Sequence, residues 1–240
     1  MDTLQNQMRS LRLPGMAQAW SSMLETRTYT QLSLGDGLKL LLQAEYDARQ
    51  QNRTARLMKN ARFRYQANVE SIYFDAQKGR NQDLLIRLAG CDFIRSGQSV
   101  LITGQSGTGK SYIASALGAN ACLEGFRVLY LGMAKLLEKL QLARIDGSIA
   151  SCFDRLAALD LLIIDDFGMK KLDGQQLLDF MEVIEDRHGR RSTIISSQLP
   201  VSDWYDVLEK NATIADAILD RLAKTSHRIE LKGESYRKYH

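Results

Sequence analysis

Eight consecutive residues constrain this chain more than anything else in it: Gly104, Gln105, Ser106, Gly107, Thr108, Gly109, Lys110 and Ser111. They form the pattern GxxxxGK[ST], which has physical meaning only between a strand and a helix. The short apolar run 99–103 precedes it, and the Ala- and Leu-rich stretch 112–123, which reads as a helix, follows. Glycine at these spacings lets the backbone turn so that its N–H groups face inward. Together with the helix N-terminus, those groups attract phosphate oxygens. Lys110 is expected to reach the β- and γ-phosphates of ATP, and the Ser111 hydroxyl to ligate Mg2+.

The rest of the chain after residue 90 alternates short apolar runs with helical stretches. Runs 127–131, 161–165, 192–196 and 227–231 read as strands, and 134–142, 150–159, 175–187 and 214–223 as helices. Strands apolar on both faces, separated by helices, predict a parallel α/β sheet covered on both sides. Run 161–166 (Leu-Leu-Ile-Ile-Asp-Asp) ends in a pair of carboxylates. A strand this apolar belongs at the sheet centre, and its C-terminal edge is where sites form in open α/β sheets. Asp165 sits where a carboxylate would bind Mg2+. Asp166 stands where P-loop ATPases usually carry a water-activating Glu. Being one methylene shorter, it predicts slow hydrolysis, or geometry completed by a partner subunit. Strand 127–131 falls in sequence between the loop and the acidic strand. If those two are not sheet neighbours, 192–196 lies between them with its tip aimed at the γ-phosphate. Gln198, just past that tip, is the candidate sensor of phosphate or water.

Composition narrows the class. With 240 residues, 45% hydrophobic and 25% charged, the chain is globular rather than fibrous or disordered. The net charge of +4 is unevenly placed: residues 1–80 carry +5 and the remainder −1. Arg49, Arg53, Arg56, Lys59, Arg62 and Arg64 fall within sixteen residues that contain no acid. On a helix, Arg49, Arg53, Arg56 and Arg64 would project within about 80° of one another. That is the footprint of a sequence-independent DNA contact, with no base-reading signature. Arg187, His188, Arg190 and Arg191 form a second basic cluster, open to DNA, a neighbouring subunit or solvent. Three cysteines, odd in number and widely spaced, fit a reducing cytosol with thiols as buried hydrophobes. The histidines show no metal-ligand spacing, and neither a secretory signal nor a membrane span is expected.

Taken together, these pieces resemble AAA+ ATPases of the helicase-loader type, and most of all the IstB-like transposition helper ATPases. The resemblance covers most of the chain. Its carriers are Phe93-Ile94, residues 104–111, 161–168, 192–200, 217–222 and 227–237, with Asp-Asp-Phe-Gly (165–168) and Gly-Glu-Ser-Tyr-Arg (233–237) the most specific. DnaC-type loaders share the architecture but often carry Asp-Glu at the acidic strand. The resemblance implies a helical N-terminal domain for DNA or partner binding over 1–70 and an AAA+ core with a short C-terminal lid over 71–240. It implies Arg221 as an arginine finger acting on a neighbouring subunit, so that ATP sites lie between the protomers of a homo-oligomer. Arg237 would be a second sensor beside the phosphates, and Tyr73 and Phe74 would help enclose the adenine. The expected function is an ATP-dependent helper that oligomerises on double-stranded DNA, remodels it and recruits a transposase. The alternatives are a replicative helicase loader and an ATP-switched binding protein with incidental turnover. The absence of an NKxD-type motif disfavours a GTPase. The paired acids and the extra strand disfavour a small-metabolite kinase.

Overall fold

The computed structural model describes residues 3–72, 81–208, 211–224 and 226–232. The chain divides into two compact units, Met1–Arg56 and Leu57–His240.

The first unit is built from α1 (Thr3–Ser10), α2 (Pro14–Glu25) and the first part of α3 (Leu34–Ala61). Pro14 opens α2, where its missing N–H costs nothing. Gly15 follows because α3 passes so close: a Cβ here would lie 2.5 Å from the Ala44 carbonyl oxygen. The buried Glu45 carboxylate accepts from the Gly15 N–H at 2.8 Å and the Met16 N–H at 3.2 Å. It thus caps the start of α2 from a neighbouring helix. Burial alone would raise the Glu45 pKa, but hydrogen bonds from Arg49 and these two amides bring it below the usual carboxylate range.

In the second unit lie α4 (Gln82–Ala89), α5 (Asp92–Arg95), β1 (Val100–Gly104), α6 (Lys110–Leu123), β2 (Val128–Gly132), α7 (Met133–Ile145), α8 (Ile149–Ala157), β3 (Leu161–Phe167), α9 (Gly174–Arg187), β4 (Ser192–Ser197), α10 (Trp204–Leu208), α11 (Ala212–Ala223) and β5 (His227–Leu231). The five strands form one parallel sheet in the order β2-β3-β4-β1-β5. The acidic strand is therefore not the neighbour of the loop strand, and β4 runs between them. Each strand end agrees with the sequence reading to within two residues.

Alternation along the strands sorts the core into two layers. Val100, Ile102, Leu161, Ile163 and Ile194 pack with Ile113 and Leu117 of α6. Leu101, Leu162, Ile164 and Ile195 pack on the other face with Leu136, Leu140, Phe180 and Trp204. Both faces are covered, which is why the strands read as continuous apolar runs. Gly118 lets α6 sit tightly on the sheet, since a Cβ there would come within 2.6 Å of Ile163 and Phe63 side-chain atoms. All three cysteines are buried, and burial pushes the Cys122 thiol up to about 12. Among the described residues, no helix is long and apolar enough to cross a membrane.

Two sequence expectations need correction. Helix α3 ends at Ala61, and Arg62 takes a left-handed φ of 58°, so Arg64 leaves the helical face expected to carry it with Arg49, Arg53 and Arg56; Lys59 stays on the helix but off that face, and Arg62 lies beyond its end. Arg187 is not part of a basic surface. It is 1% exposed, and its guanidinium donates to the carbonyls of Leu156 at 2.5 Å, Leu159 at 3.0 Å and Ser192, and to Thr193 Oγ1 at 3.1 Å. Those acceptors satisfy its donors in the core, and burial lowers its pKa to about 9.

Candidate functional site

The glycine loop leaves β1 and enters α6. Gly104 has φ +148°, and a Cβ on it would stand 2.4 Å from the Leu231 carbonyl oxygen of β5. Gly107 and Gly109 have φ values of 82° and 96°, in the region that favours glycine. Thr108 Oγ1 donates to the Gln105 carbonyl at 2.8 Å and braces the turn. Lys110 is 6% exposed, and its Nζ donates to the Gly104 carbonyl at 2.6 Å and to that of Gln105 at 2.8 Å. The ammonium thus lies at the loop's centre, at the N-terminal end of α6. Gln105 and Ser106 are exposed at the rim, and Ser111 is half-buried in the first turn of the helix.

Across β4 stands the acidic pair. In a regular strand, adjacent side chains point to opposite faces. Here Ile164 pairs with Ile195 and Phe167 with Ser197, so three steps on β3 match two on β4. This is a β-bulge, and Asp166 sits in it with a left-handed φ of 57°. The extra residue turns both carboxylates toward one place: Arg64 Nη1 lies 3.5 Å from Asp165 Oδ2 and 3.1 Å from Asp166 Oδ2. Strain of this kind in a non-glycine residue concentrates at functional sites.

Asp165 is 1% exposed. Its Oδ2 accepts from the Tyr130 hydroxyl of β2, whereas its Oδ1 is buried with no hydrogen-bond partner. The Ser196 hydroxyl on β4 is the other buried side-chain polar atom without a partner among the described residues. Burial by itself would raise the Asp165 pKa. The nearby hydroxyls of Ser196, Tyr130 and Ser111 and the Asp166 N–H outweigh it and hold the group below the usual carboxylate range. Tyr130 moves the opposite way, raised first by burial and then by its bond to the carboxylate. An anionic Asp165 with an unsatisfied oxygen, near the Ser111 hydroxyl, is a hard-oxygen donor set suited to Mg2+. Among the described residues no three His, Cys, Asp or Glu side chains gather as a metal cluster. A cation here would therefore complete its shell with phosphate and water oxygens.

A cleft of about 830 Å³ reaches the acidic pair from the β2 side, lined among others by Arg64, Tyr130, Met133, Asp165, Asp166 and Met169. The glycine loop lines none of it, and Asp165 meets the start of α6 through the Ser111 hydroxyl.

The remaining expected residues are distributed as follows. Gln198 follows the tip of β4, and its amide contacts Met169 Sδ at 3.3 Å. Arg221 on α11 is ion-paired with Glu185 of α9 in the same chain, and it donates to the Ala217 carbonyl at 3.0 Å. Arg49, Arg53, Arg56, Lys59, Arg62 and Arg64 are all exposed, with Arg49 paired to Glu45 at 2.7 Å. Arg237, Tyr73 and Phe74 lie outside the described residues. Two contributors escaped the sequence reading. Tyr130 stands in the middle of an apolar strand and gives no polar signal. Arg64 was counted with the basic run, although it follows the helix break.

A glycine loop on β1, an acidic end on β3 and a strand inserted between them define a P-loop ATP-binding protein of the AAA+ class. Residues 6–240 match the family described as IstB-like ATP binding protein, and the chain belongs to that family. It is 42% identical over 233 residues to an insertion-sequence ATP-binding protein of Sinorhizobium fredii, covering 97% of this chain and 95% of the relative. Among solved structures, the DnaC helicase loader superposes with a TM-score of 0.59 at 18% identity, over 70% of this chain and 98% of that one. AMPPCP-bound DnaA from Aquifex aeolicus gives 0.60 at 17% identity, over 74% of this chain and 54% of that one. These likenesses show the fold.

Proposed function

We propose that this chain is an Mg2+-dependent ATPase that assembles on double-stranded DNA and serves a transposase. The observation that carries the reading is the pairing of a phosphate-type loop, with Lys110 at its centre, with a buried anionic Asp165 that keeps one oxygen unsatisfied. In this reading the amides of residues 104–111 and Lys110 hold the phosphates, and Ser111 and Asp165 hold Mg2+. When bound, the cation would neutralise phosphate charge and polarise the bond to be broken. Asp166 orients the attacking water, with Gln198 at the neighbouring strand tip as the polar sensor. Hydrolysis would yield ADP and phosphate in the cytoplasm.

Arg221 is assigned to the ATP site of an adjacent protomer, where a fixed charge and forked donors suit the γ-phosphate. Its place on α11, half-buried and held by the partly exposed Glu185 and the Ala217 carbonyl, supports that role. Arg237 is assigned to the phosphates of its own subunit. The basic run of α3 supplies the DNA contact through phosphates, without base reading. The family's insertion-sequence relatives support the transposase as partner. Sedimentation with duplex DNA, with and without ATP and Mg2+, tests the whole. Large assemblies on duplex only with ATP are expected. A chain that stays monomeric and ignores DNA under both conditions overturns the reading, and a strong preference for single strands moves it to a helicase loader.

A further inference from the structure

We infer that Arg64 is a positioning residue that competes with the divalent cation for the Asp165–Asp166 pair, so that the site opens to metal only when this guanidinium moves away. The inference rests on the ATP–Mg2+ reading above and deepens it. Arg64 Nη1 is within 3.5 Å of a carboxylate oxygen on each acid. Two anionic groups brought together by the bulge need compensating charge. Arg64, ion-paired with both, supplies such charge.

The placement is built rather than incidental. Arg62 breaks the helix with its left-handed backbone, which turns the next residues onto the core. Phe63 packs edge-on against Tyr130, with ring centroids 6.5 Å apart, and touches the surface that Gly118 leaves open. Tyr130 is the residue that donates to Asp165. Phe63 therefore anchors the segment beside the acidic strand, and from there Arg64 reaches both carboxylates. Its cation also rests 5.7 Å from the ring centroid of Tyr65. A divalent ion approaching Asp165 meets this fixed positive charge at close range, where only partial solvent screening weakens the repulsion. Arg64 is nonetheless 45% exposed, so it can swing out to solvent or to a phosphate.

The test is a magnesium titration of nucleotide binding, read by the fluorescence of a mant-labelled ATP on the full chain without turnover. Wild type and Lys110→Ala come first: magnesium-dependent binding in wild type, lost in Lys110→Ala, establishes the underlying site. Absence of binding in wild type overturns that site and this inference together. Given the site, Arg64→Ala and Arg64→Gln should each lower the magnesium concentration at half-saturation about fivefold, the scale of a partly exposed ion pair. Arg64→Lys, which keeps the charge without the fork, should fall between. Arg95→Ala, which removes a surface charge paired with Asp92 and Glu124, should leave the midpoint where it is. A midpoint unchanged or raised in Arg64→Gln overturns the inference while leaving the ATP site standing, as does an equal drop in Arg95→Ala. If Arg64→Ala does not fold, the Gln and Lys variants give the same reading.

Discussion

Arg221 and Glu185 form an ion pair between α11 and α9 of one chain, although Arg221 is the residue assigned to a neighbour's phosphate. The pair is partly exposed, with the Glu185 side chain 50% accessible. Such pairs contribute about 1 kcal/mol or less to stability. Glu185 can therefore hold Arg221 ready without committing it. Arg221→Ala should leave nucleotide affinity within about threefold of wild type and lower DNA-stimulated hydrolysis by at least about 100-fold, given what such arginines contribute elsewhere. Mixing it with Asp166→Asn should restore part of the rate. A mixture no faster than either variant alone would sink the shared-site assignment.

Tyr130→Phe removes the hydroxyl that donates to Asp165 while keeping the ring. A hydrogen bond to a charged group contributes about 1.5–3 kcal/mol. The folded pKa of Asp165 is depressed, so its stabilisation is present above the unfolded value of about 3.9 and is lost as pH falls through the folded value. The variant should therefore be less stable than wild type at pH 7, with the gap narrowing toward pH 3. Urea unfolding at several pH values checks this. A gap independent of pH would mean that the hydroxyl acts on packing alone.

Gly104→Ala tests the loop geometry without removing any charged group. The backbone there has φ +148°, and the new Cβ would meet a strand carbonyl at 2.4 Å rather than a yielding side chain. A cost on the order of 2–4 kcal/mol is expected, which for a chain of this size lowers the melting temperature by about 5–15 °C. Nucleotide binding should fall with it. A variant as stable as wild type would show that β5 does not press on the loop as described.

Much of this architecture is legible in the residues themselves. Leu161 to Ile164 are apolar on both faces and so demand a central strand, and run 192–196 is the candidate to lie between it and the loop strand once those two are not neighbours, the place that β4 takes in the sheet. What stays hidden depends on distant partners. The bulge at Asp166 is not written in residue type, since Asp-Asp would fit a regular strand end as well. Arg187 reads as one of a basic cluster because its acceptors, the carbonyls of Leu156 and Leu159, come from another element. Arg64 reads as helix surface because nothing in its own segment announces that Arg62 ends the helix.

The basic run can now be divided by what each arginine touches. Arg53 and Arg56 lie on α3, exposed and well inside the helix, whereas Arg64 directs its guanidinium to the acidic pair. If the helix holds DNA by phosphates, each cation contributes about 0.9 to the slope of log K against log salt. Arg53→Glu with Arg56→Glu should then weaken binding to all duplex sequences alike and flatten that slope by about 2. Arg64→Ala should leave the slope nearly unchanged and act on magnesium dependence instead. Fluorescence anisotropy on two unrelated duplexes, at salt concentrations from 50 to 200 mM, reads both effects together. If the double variant binds with the wild-type slope, the α3 face does not contact the phosphates. If Arg64→Ala flattens the slope as much as the double variant, Arg64 leaves the acids to bind DNA, and the two functions share one guanidinium.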